Sequence, residues 1–426
     1  MAKIVIVGGG FAGLRVAREL AGDARFEVTL LDRRNHHIFQ PLLYQVATAA
    51  LSPAEIAVPL RTTLAGATNV EVRLAEVRDV DLAGRRVVTD RGDFLYDRLV
   101  LACGATHSYF GKEEWEPVAP GLKTLEQATE IRRRVLQAFE EAENASVPEL
   151  AAFHQSFVVV GAGPTGVELA GTLGEINQFS ISGDFRRLSP KDTRIYLIEA
   201  GPRILPSFSE ALGARARRDL ESLGVEVLTG TKVLGIDDKG VDVEGARTGR
   251  IRAATVLWAA GVQASPINRR LGLALDRAGR VPVGEDLSLA GHPEVFVIGD
   301  QAHREQDGKT LPGVAPVAMQ QGAFVARALR AELESRPRGV FRYRDKGQMA
   351  TIGRSRAVAE VGPLRMTGWL AWMAWLFVHI LYLLDFRNRF FVLLEWTWSY
   401  VSFRRGARLI LSKAWRSFGD SPKAAE

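Results

Sequence analysis

Two glycine-rich turns in the sequence have the residue types and the spacing that bind a dinucleotide. Each turn follows a run of aliphatic residues and precedes an amphipathic run, so it is expected to join a buried strand to a helix. Because glycine has no side chain, the backbone amides at the start of such a helix can closely approach a pyrophosphate. The glycines are Gly8, Gly10 and Gly13 in the first turn and Gly161, Gly163 and Gly166 in the second.

An acidic residue follows each turn at the end of the next strand pattern. Asp32 lies about 20 residues beyond the first turn, where a carboxylate can accept hydrogen bonds from ribose hydroxyls. Glu199 comes later because residues 177–192 lengthen the connection, so its assignment rests on the strand pattern of residues 194–198. A carboxylate there repels a 2′-phosphate, and the sequence therefore predicts NADH rather than NADPH at the second turn. Arg203 follows shortly after Glu199, and because an arginine can accommodate a 2′-phosphate, NADPH remains an alternative.

The elements that must position these turns form a repeat. Residues 4–20 (IVIVGGGFAGLRVAREL) resemble residues 157–173 (FVVVGAGPTGVELAGTL), which indicates a duplicated fold rather than a short solenoid period. Strands, glycine turns and amphipathic helices alternate in both halves, as is typical of parallel sheets covered by helices. Short strand-like runs (341–361) and a mostly aromatic and aliphatic stretch (368–403) follow. We expect an α/β fold with two Rossmann-like domains and a different C-terminal module.

Composition and charge exclude several classes of protein. The chain has 426 residues, which at about 150 residues per domain predicts two to three domains. Its start shows no secretory or transit pattern, which favours the cytoplasm. The single cysteine, Cys103, excludes any mechanism that needs two thiols in one chain, and at a strand end it is expected to be a packed side chain rather than a nucleophile. The net charge of +6 indicates an anionic partner.

Two dinucleotide folds in one chain resemble the two-dinucleotide-domain flavoprotein superfamily. In that superfamily the N-terminal fold holds FAD, the inserted fold holds NAD(P)H, and a late strand ends in Gly-Asp beside the ribityl chain of FAD. Gly299 and Asp300 match this mark after the strand pattern 295–298. The resemblance implies an FAD-binding domain of residues 1–115 and 290–335, an NADH-binding domain of residues 116–289 and a membrane-association module of residues 336–426.

Longer segments resemble the type II NADH dehydrogenases, the non-proton-pumping NADH:quinone oxidoreductases of respiratory chains. Residues 39–48 (FQPLLYQVAT), 104–111 (GATHSYFG) and 258–262 (WAAGV) match that family. Its quinone motif, AQxAxQQG, reads APVAMQQG at residues 315–322, so Pro316 replaces the first glutamine and any hydrogen bond from that amide is lost. Dithiol reductases and sulfide:quinone oxidoreductases need more cysteines than this chain has.

The resemblance assigns cofactor and substrate contacts residue by residue. FAD would be held non-covalently by Gly8, Gly9, Gly10, Phe11, Ala12, Gly13, Asp32, Arg33, Gln40, Thr48, Gly104, Asp300, Ala318 and Met319. NADH, as the substrate, would contact Gly161, Gly163, Pro164, Thr165, Gly166, Glu199 and Gly261. The quinone, either ubiquinone or menaquinone, would contact Gln320, Gln321 and His379.

Quinone reduction takes up two protons, so a titratable group is expected near the reacting atoms. Glu168 is the expected catalytic carboxyl, because a carboxylate at this place lies near the nicotinamide and the flavin in the family, and Gln320 is the second catalytic candidate. Glu175 shares the helix face of Glu168 but lies farther from the glycine turn. In an alternative interpretation, Glu168 only positions the carboxamide or a lysine.

The C-terminal module has the composition of a membrane-interface segment. Residues 366–384 carry no formal charge and approach the length of about 20 residues that a spanning helix needs. Their tryptophans favour an amphipathic pair of helices in one leaflet, while a single span and burial against a partner subunit stay open. His379 either contacts quinone or packs with one hydrogen bond. The basic residues expected to contact anionic lipid are Arg387, Arg389, Arg404, Arg405, Arg408, Lys413 and Arg416.

Together these patterns predict a peripheral, monotopic enzyme on the cytoplasmic side of the inner (cell) membrane that oxidises NADH with FAD and reduces a membrane quinone. The basic charge is assigned to lipid rather than to nucleic acid, and a homodimer is compatible with this interpretation. No metal is expected, since HExxH and CxxC motifs are absent from the sequence. The alternatives are a soluble NADH oxidase or ferredoxin-type reductase, and a non-enzymatic NADH-responsive membrane scaffold.

Overall fold

The computed structural model of the protein describes residues 1–181, 184–402 and 407–411. The chain forms two compact units, each with one of the two glycine turns. The first unit comprises Met1–Phe39, Ala57–Gly111 and Gly261–Gly347, and the second comprises Gln40–Ile56, Lys112–Ala260 and the residues from Gln348 onward.

A six-stranded sheet forms the centre of the first unit. Neighbouring strands are parallel except at one edge, where a short strand pairs antiparallel. The strands are aliphatic because a parallel sheet is covered on both faces. In spatial order they are Ser288–Leu289, His292–Val297, Arg98–Leu101, Ala2–Val7, Phe26–Asp32 and Val70–Leu74. Helices Phe11–Leu20 and Ala315–Leu333 pack against each other in this unit.

Smaller elements complete the first unit. An antiparallel meander is formed by Val77–Asp81, Arg86–Thr89 and Gly92–Leu95. Short pairs join His36–Ile38 to Ala57–Pro59, Ala105–His107 to Val262–Ala264, Val281–Pro282 to Ala302–His303, and Glu305–Gln306 to Lys309–Thr310. Short helical turns are Leu60–Thr63, Pro266–Leu271 and Gly299–Gln301.

A four-stranded parallel sheet forms the centre of the second unit. In spatial order its strands are Val225–Leu228, Arg194–Ile198, Ser156–Val160 and Thr255–Trp258. The helices of this part are Leu43–Ala47, Pro53–Ile56, Leu125–Asn144, Pro148–His154, Pro164–Ile176 and Glu210–Glu221, with turns at Gln40–Leu42, Glu113–Trp115 and Asn177–Ile181. An antiparallel sheet of Thr231–Asp237, Gly240–Gly245 and Gly249–Arg252 accompanies them.

The C-terminal module is part of the second unit from Gln348 onward, whereas residues 336–347 belong to the first unit. Its strands Gln348–Gly353, Arg356–Val361 and Leu364–Thr367 form an antiparallel sheet, and helices Gly368–Tyr382 and Phe386–Ser402 follow. The first of these strands packs against helix Pro164–Ile176. A Cβ atom at Gly171 would lie 1.8 Å from the carbonyl oxygen of Ile352, so only glycine allows this approach.

The α/β fold with two Rossmann-like sheets is confirmed, and a few boundaries differ from the predicted ones. The strand pattern predicted from residue 341 begins at Gln348. Residues 261–289 pack with the first unit, because Val262–Ala264 pairs with Ala105–His107, while residues 40–56 pack with the second. The assignment of cofactors to the predicted domains stays a prediction. Among the residues described, no helix is long and apolar enough to cross a membrane.

Candidate functional site

The first glycine turn joins the first strand of its unit to the first helix. Gly8 has a φ of +104°, and a Cβ atom there would lie 2.4 Å from the carbonyl oxygen of Ala102, so the position requires glycine. A Cβ at Gly13 would lie 1.9 Å from the Gly8 oxygen. A Cβ built on Gly10 meets no atom of the described residues within 4 Å. The turn therefore leaves space for a pyrophosphate at the helix N-terminus.

The carboxylate of Asp32 closes this first turn. Its Oδ2 accepts a hydrogen bond from the backbone N–H of Gly9 at 2.6 Å, and its Oδ1 accepts one from the N–H of Arg34 at 2.7 Å. A carboxylate has about four acceptor sites, so capacity remains for ribose hydroxyls. Arg33 is exposed, with its guanidinium 4.0 Å from Glu76. The open turn and the carboxylate fit the pyrophosphate and adenosine ribose of FAD.

The second glycine turn repeats this geometry in the second unit. Gly161 has a φ of +98°, and a Cβ there would lie 2.4 Å from a neighbouring backbone atom. A Cβ at Gly166 would lie 1.8 Å from the Gly161 oxygen, whereas one at Gly163 meets none of the described atoms within 4 Å. Pro164 and Thr165 are exposed at the start of the helix. A second dinucleotide can therefore approach this helix N-terminus.

Glu199 closes the second turn directly after strand Arg194–Ile198, at the strand end where the sequence pattern predicts it. Its Oε2 accepts a hydrogen bond from the N–H of Ala162 at 2.8 Å, and its Oε1 accepts one from the N–H of Gly201 at 2.7 Å. Ala162 is the second residue of its turn, as Gly9 is of the first turn. The two acids therefore make the same contact in the two folds.

Arg203, the residue that keeps NADPH as an alternative, donates hydrogen bonds to backbone carbonyls. Its Nη1 donates to the oxygen of Phe208 at 2.8 Å and its Nη2 donates to the oxygen of Pro206 at 2.7 Å. These two bonds hold the guanidinium against its own loop and use two of its five N–H donors.

The Gly299–Gln301 turn, which contains Asp300, lies in the first unit with Gly299 close to the start of helix Phe11–Leu20. The N–H of Gly299 donates to the Oε1 of Gln321 at 2.6 Å. A Cβ on Gly299 would lie 3.5 Å from the Cβ of Ala12 and 3.7 Å from that of Ala318. Predicted FAD contacts from two helices and this turn therefore converge. Gln321 is buried with its amide oxygen occupied, and its contact with quinone stays a prediction.

Cys103 is part of the packing behind this turn. Its backbone N–H donates to the Oε1 of Gln301 at 2.7 Å, and its side chain packs against the apolar core of the first unit. Burial raises the pKa of the Cys103 thiol to about 12, so the sulfur is a neutral thiol at physiological pH. This supports the sequence-based interpretation of a packed side chain.

The quinone motif begins helix Ala315–Leu333. Pro316 lies in the first turn of this helix, where a missing N–H breaks no intrahelical bond. The Nε2 of Gln320 donates to the Arg344 oxygen at 3.0 Å, and its Oε1 accepts from the Arg344 N–H at 3.0 Å. Met319 beside it is partly buried. The amide of Gln320 thus pairs with a backbone segment, and its catalytic role stays a prediction.

Gly104 and Gly261 both lie in the first unit. The N–H of Ser108 donates to the oxygen of Gly261 at 3.2 Å, and a Cβ on Gly261 would lie 2.8 Å from the ring of Phe110. Gly261 was predicted to contact NADH, but it is not grouped with the second glycine turn, and this contact stays a prediction.

Two further predicted FAD contacts, Gln40 and Thr48, lie in residues 40–56 of the second unit. Thr48 is buried, and its hydroxyl donates to the oxygen of Tyr44 at 2.8 Å. Gln40 is exposed, and its Nε2 lies 3.4 Å from the Lys123 oxygen. Gln45 accepts a hydrogen bond from the indole N–H of Trp396 at 2.7 Å, a contact that no sequence pattern indicates.

Glu168 lies on helix Pro164–Ile176, which packs against strand Gln348–Gly353. Desolvation raises the pKa of its carboxyl well above the ordinary value, and a hydrogen bond from the backbone of Thr351 opposes this rise. The raised pKa favours a neutral acid that can donate a proton. Glu175 on the same helix accepts a hydrogen bond from the N–H of Arg354, so its carboxylate holds the module in place.

His379 is packed on helix Gly368–Tyr382. Its Nδ1 donates to the carbonyl oxygen of Trp375 at 2.6 Å, and the two rings stack with centroids 4.4 Å apart. Desolvation lowers the pKa of His379 to about 4, so the ring is neutral at physiological pH. The hydrogen bond and the stacking support the alternative of a packed histidine, and the quinone contact stays a prediction.

The two C-terminal helices expose large apolar side chains. They are Trp369, Leu370, Met373, Phe377, Leu381, Phe390, Phe391, Leu393, Leu394, Trp398 and Tyr400. Of the predicted lipid-binding cations, the structure describes Arg387, Arg389 and Arg408, whereas Arg404, Arg405, Lys413 and Arg416 lie outside the described residues.

The fold and the two carboxylate-closed turns define a pyridine-nucleotide-dependent flavoprotein with two dinucleotide-binding folds. A family model of pyridine nucleotide-disulphide oxidoreductases matches residues 2–322, and one of the NDH2 C-terminal domain matches residues 346–405. Two proteins of Mycobacterium tuberculosis, the type II NADH:quinone oxidoreductases Ndh and NdhA, are 43% and 41% identical to this chain. The matches cover 95% and 96% of this chain and 89% and 90% of theirs. The chain belongs to the type II NADH:quinone oxidoreductase family.

A solved structure supports the fold independently. NDH2 from Plasmodium falciparum in complex with NADH superposes with a TM-score of 0.85 at 18% identity. The match covers 96% of this chain and 100% of that chain. This superposition supports the fold, and the two relatives together with the C-terminal family model confirm the resemblance to type II NADH dehydrogenases that the sequence motifs indicated.

Proposed function

We propose that this protein oxidises NADH with bound FAD and passes the electrons to a membrane quinone without pumping protons. The observation that carries the proposal is the repeated geometry of its two nucleotide turns. Asp32 accepts a hydrogen bond from Gly9 in one fold, and Glu199 accepts one from Ala162 in the other. Two dinucleotides are needed for this reaction, and the chain has one such turn for each.

The chain's own residues bind and orient the two nucleotides. When bound, FAD supplies the two-electron transfer between the hydride donor and the quinone. Gly8, Gly10 and Asp32 would hold its pyrophosphate and adenosine ribose, while Asp300 would meet the ribityl chain. The same arrangement at Gly163 and Glu199 would hold NADH. Orientation of this kind converts a bimolecular hydride transfer into an effectively unimolecular one.

The preference for NADH over NADPH is assigned to Glu199. Its two backbone hydrogen bonds fix the carboxylate beside the second turn. A 2′-phosphate would meet that negative charge, while the guanidinium of Arg203 is held by the oxygens of Pro206 and Phe208. Charge repulsion therefore supports selection of the nucleotide that lacks the phosphate.

Glu168 is proposed as the proton donor for the quinone. Desolvation raises the pKa of its carboxyl, so the group carries a proton at a pH where an exposed glutamate does not. The N–H of Thr351 fixes one side of the carboxyl and stabilises the carboxylate that remains after donation. The alternative role, in which Glu168 only positions another group, predicts no loss of rate at high pH.

We further propose that the exposed apolar faces of helices Gly368–Tyr382 and Phe386–Ser402 bind the cytoplasmic side of a bilayer. Exposed apolar surface of this extent is unusual for a monomeric soluble protein. Arg387 and Arg389 lie on the second helix, where cations near anionic lipid add about 1 kcal/mol each. A quinone dissolved in the bilayer would then reach the enzyme from that face.

The two alternative functions, a soluble reductase and a non-enzymatic scaffold, leave some features of the chain without a role. A soluble NADH oxidase or ferredoxin-type reductase would not need the exposed apolar helices, and a non-enzymatic scaffold would not need a carboxyl that holds a proton. Steady-state NADH oxidation, measured with a ubiquinone or menaquinone analogue and with NADPH as the comparison substrate, tests the proposal. Quinone-dependent turnover is expected, and its absence from FAD-loaded protein would contradict the proposed function.

A further inference from the structure

Arg132 is a buried cation that none of the predicted sites uses. It lies on helix Leu125–Asn144 with only 7% of its surface exposed. Its Nε donates to the oxygen of Val46 at 2.7 Å, and its Nη2 donates to the oxygen of Leu51 at 2.7 Å. These two carbonyls lie at the ends of residues 46–51, which we call the flavin-side turn because it contains Thr48.

The backbone of the flavin-side turn has features that the hydrogen bonds from Arg132 can stabilise. Its buried Ala49 has a φ of +59°, a left-handed conformation that residues with a Cβ rarely adopt. Val46 lies in the last turn of helix Leu43–Ala47, and its oxygen accepts a long hydrogen bond from the N–H of Ala49, at 3.3 Å. The guanidinium of Arg132 adds a charged donor at each end of the turn, one to the oxygen of Val46 and one to the oxygen of Leu51.

The same guanidinium also binds the chain that follows the C-terminal helices. Its Nη1 donates to the oxygen of Ala407 at 3.2 Å, and the N–H of Ala407 donates to the oxygen of Ala49 at 3.3 Å. Arg408 forms an ion pair with Asp184. Residues 407–411, the tail segment, are therefore tied to the flavin-side turn both directly and through Arg132, while Leu409 and Leu411 expose apolar side chains.

We propose that Arg132 is a positioning residue that couples the tail segment to the flavin-side turn. Through Arg132, the part of the chain next to the exposed apolar helices holds the backbone at which Thr48 is predicted to meet FAD. Displacement of the tail segment would release the turn from its left-handed geometry and change the contact at the flavin. The inference rests on the proposed function in one respect, namely that Thr48 lies beside the flavin.

The test compares Arg132→Lys with Arg134→Lys in the full-length, FAD-loaded protein. Arg134 is a matched control, because it lies on the same helix and donates to the oxygens of Val118 and Pro117 at 2.9 and 2.6 Å, away from the turn. A lysine keeps the charge at position 132 but cannot donate in the three directions of the guanidinium.

For Arg132→Lys we expect hydrogen exchange at Ala50 and Leu51 to become about tenfold faster, because the turn opens locally more often. The visible absorption band of the flavin should shift. The kcat/KM for quinone should fall by about tenfold, since a small misplacement near the reacting atoms is costly, while the rate of flavin reduction by NADH changes less. Arg134→Lys should behave like the unmodified protein in all three measurements.

A second variant, Ala407→Pro, removes the N–H that donates to Ala49 and also fixes φ at position 407. It tests the coupling if Arg132→Lys does not fold. Faster exchange at Ala50 and Leu51 in this variant supports the coupling. Unchanged exchange together with an unchanged flavin band would overturn it. Because the exchange measurement does not depend on quinone turnover, failure of the proposed function and failure of this inference are distinguishable.

Discussion

Asp32 and Glu199 occupy the same position in the two nucleotide-binding folds. Each carboxylate accepts a hydrogen bond from the N–H of the second residue of its glycine turn, at 2.6 Å from Gly9 and at 2.8 Å from Ala162. The connection from the glycine turn to Glu199 is longer than the one to Asp32. The two acids are therefore equivalent because each lies at the end of a strand, not because of their spacing along the sequence. The two acids can therefore be exchanged for amides as a matched pair.

The first prediction concerns nucleotide choice. Glu199→Gln removes the negative charge and turns one backbone-facing acceptor into an NH2 donor, so a ribose contact is weakened and phosphate repulsion is lost. We expect the ratio of kcat/KM for NADH over NADPH to fall by about tenfold, equivalent to about 1.4 kcal/mol. Steady-state kinetics with both nucleotides measure it.

The matched control is Asp32→Asn, which makes the same chemical change in the other fold. It should weaken FAD retention, followed by flavin release on dilution, and leave the nucleotide preference of the loaded enzyme unchanged. A wild-type enzyme that uses NADPH as efficiently as NADH would contradict the role assigned to Glu199.

The second prediction concerns the proton held by Glu168. Because the raised pKa keeps its carboxyl protonated, quinone reduction should be fast at low pH and decline as pH rises through that pKa. Glu168→Gln should slow quinone reduction more than flavin reduction and remove the pH dependence. Stopped-flow measurements of the two half-reactions over a pH series separate these effects. A larger loss in the NADH step would assign Glu168 to positioning.

The same group predicts a pH dependence of stability. A carboxyl whose pKa is raised by folding holds its proton more tightly in the folded state, so the free energy of unfolding decreases as pH rises from the ordinary carboxyl pKa of about 4.3. The loss is complete once the pH has passed the folded-state pKa. The free energy of unfolding of Glu168→Gln, measured with denaturant, should lack this pH dependence. An identical pH profile for both proteins would contradict the raised pKa of Glu168.

The third prediction concerns Cys103. Since burial raises the pKa of the thiol to about 12, very little thiolate exists at neutral pH. Iodoacetamide should label the native protein slowly, and Cys103→Ser should keep most of the quinone-dependent turnover. Mass spectrometry of the labelled protein and steady-state assays check both statements. Loss of turnover in Cys103→Ser, with FAD still bound, would show that a thiol step exists.

The fourth prediction concerns the membrane-facing helices. Leu370→Ser combined with Phe377→Ser places two polar side chains on the exposed face of helix Gly368–Tyr382 and should reduce sedimentation with anionic liposomes. Leu95→Ser is the control, because Leu95 is as exposed as Leu370, at 64% and 65%, and lies in the first unit. High salt should release the unmodified protein only in part, since screening weakens the charge contribution and spares the hydrophobic one. Equal binding of all three proteins would remove the basis for membrane association through this helix.

The fold and both glycine turns could be predicted from the sequence, because glycine spacing, strand patterns and terminal acids are local features. Contacts between residues that are far apart in the chain could not be predicted in this way. Thr351 contacts Glu168, Trp396 contacts Gln45 and Arg132 caps residues 46–51, yet each pair is far apart in the chain and neither partner has a distinctive pattern. The sequence also does not show that Gln321 is buried with its amide oxygen bonded to the N–H of Gly299, and its contact with quinone stays a prediction.

Sequential half-reactions measured on one sample test the central claim most directly. Under anaerobic conditions, NADH is added to the FAD-loaded protein in a stopped-flow instrument while flavin absorbance is followed, and a ubiquinone or menaquinone analogue is then mixed in. The account predicts rapid loss of the absorbance with NADH, much slower loss with NADPH, and full recovery with the quinone at a rate that accounts for turnover. Loss of absorbance that the quinone does not restore would contradict the assignment of this protein as an NADH:quinone oxidoreductase.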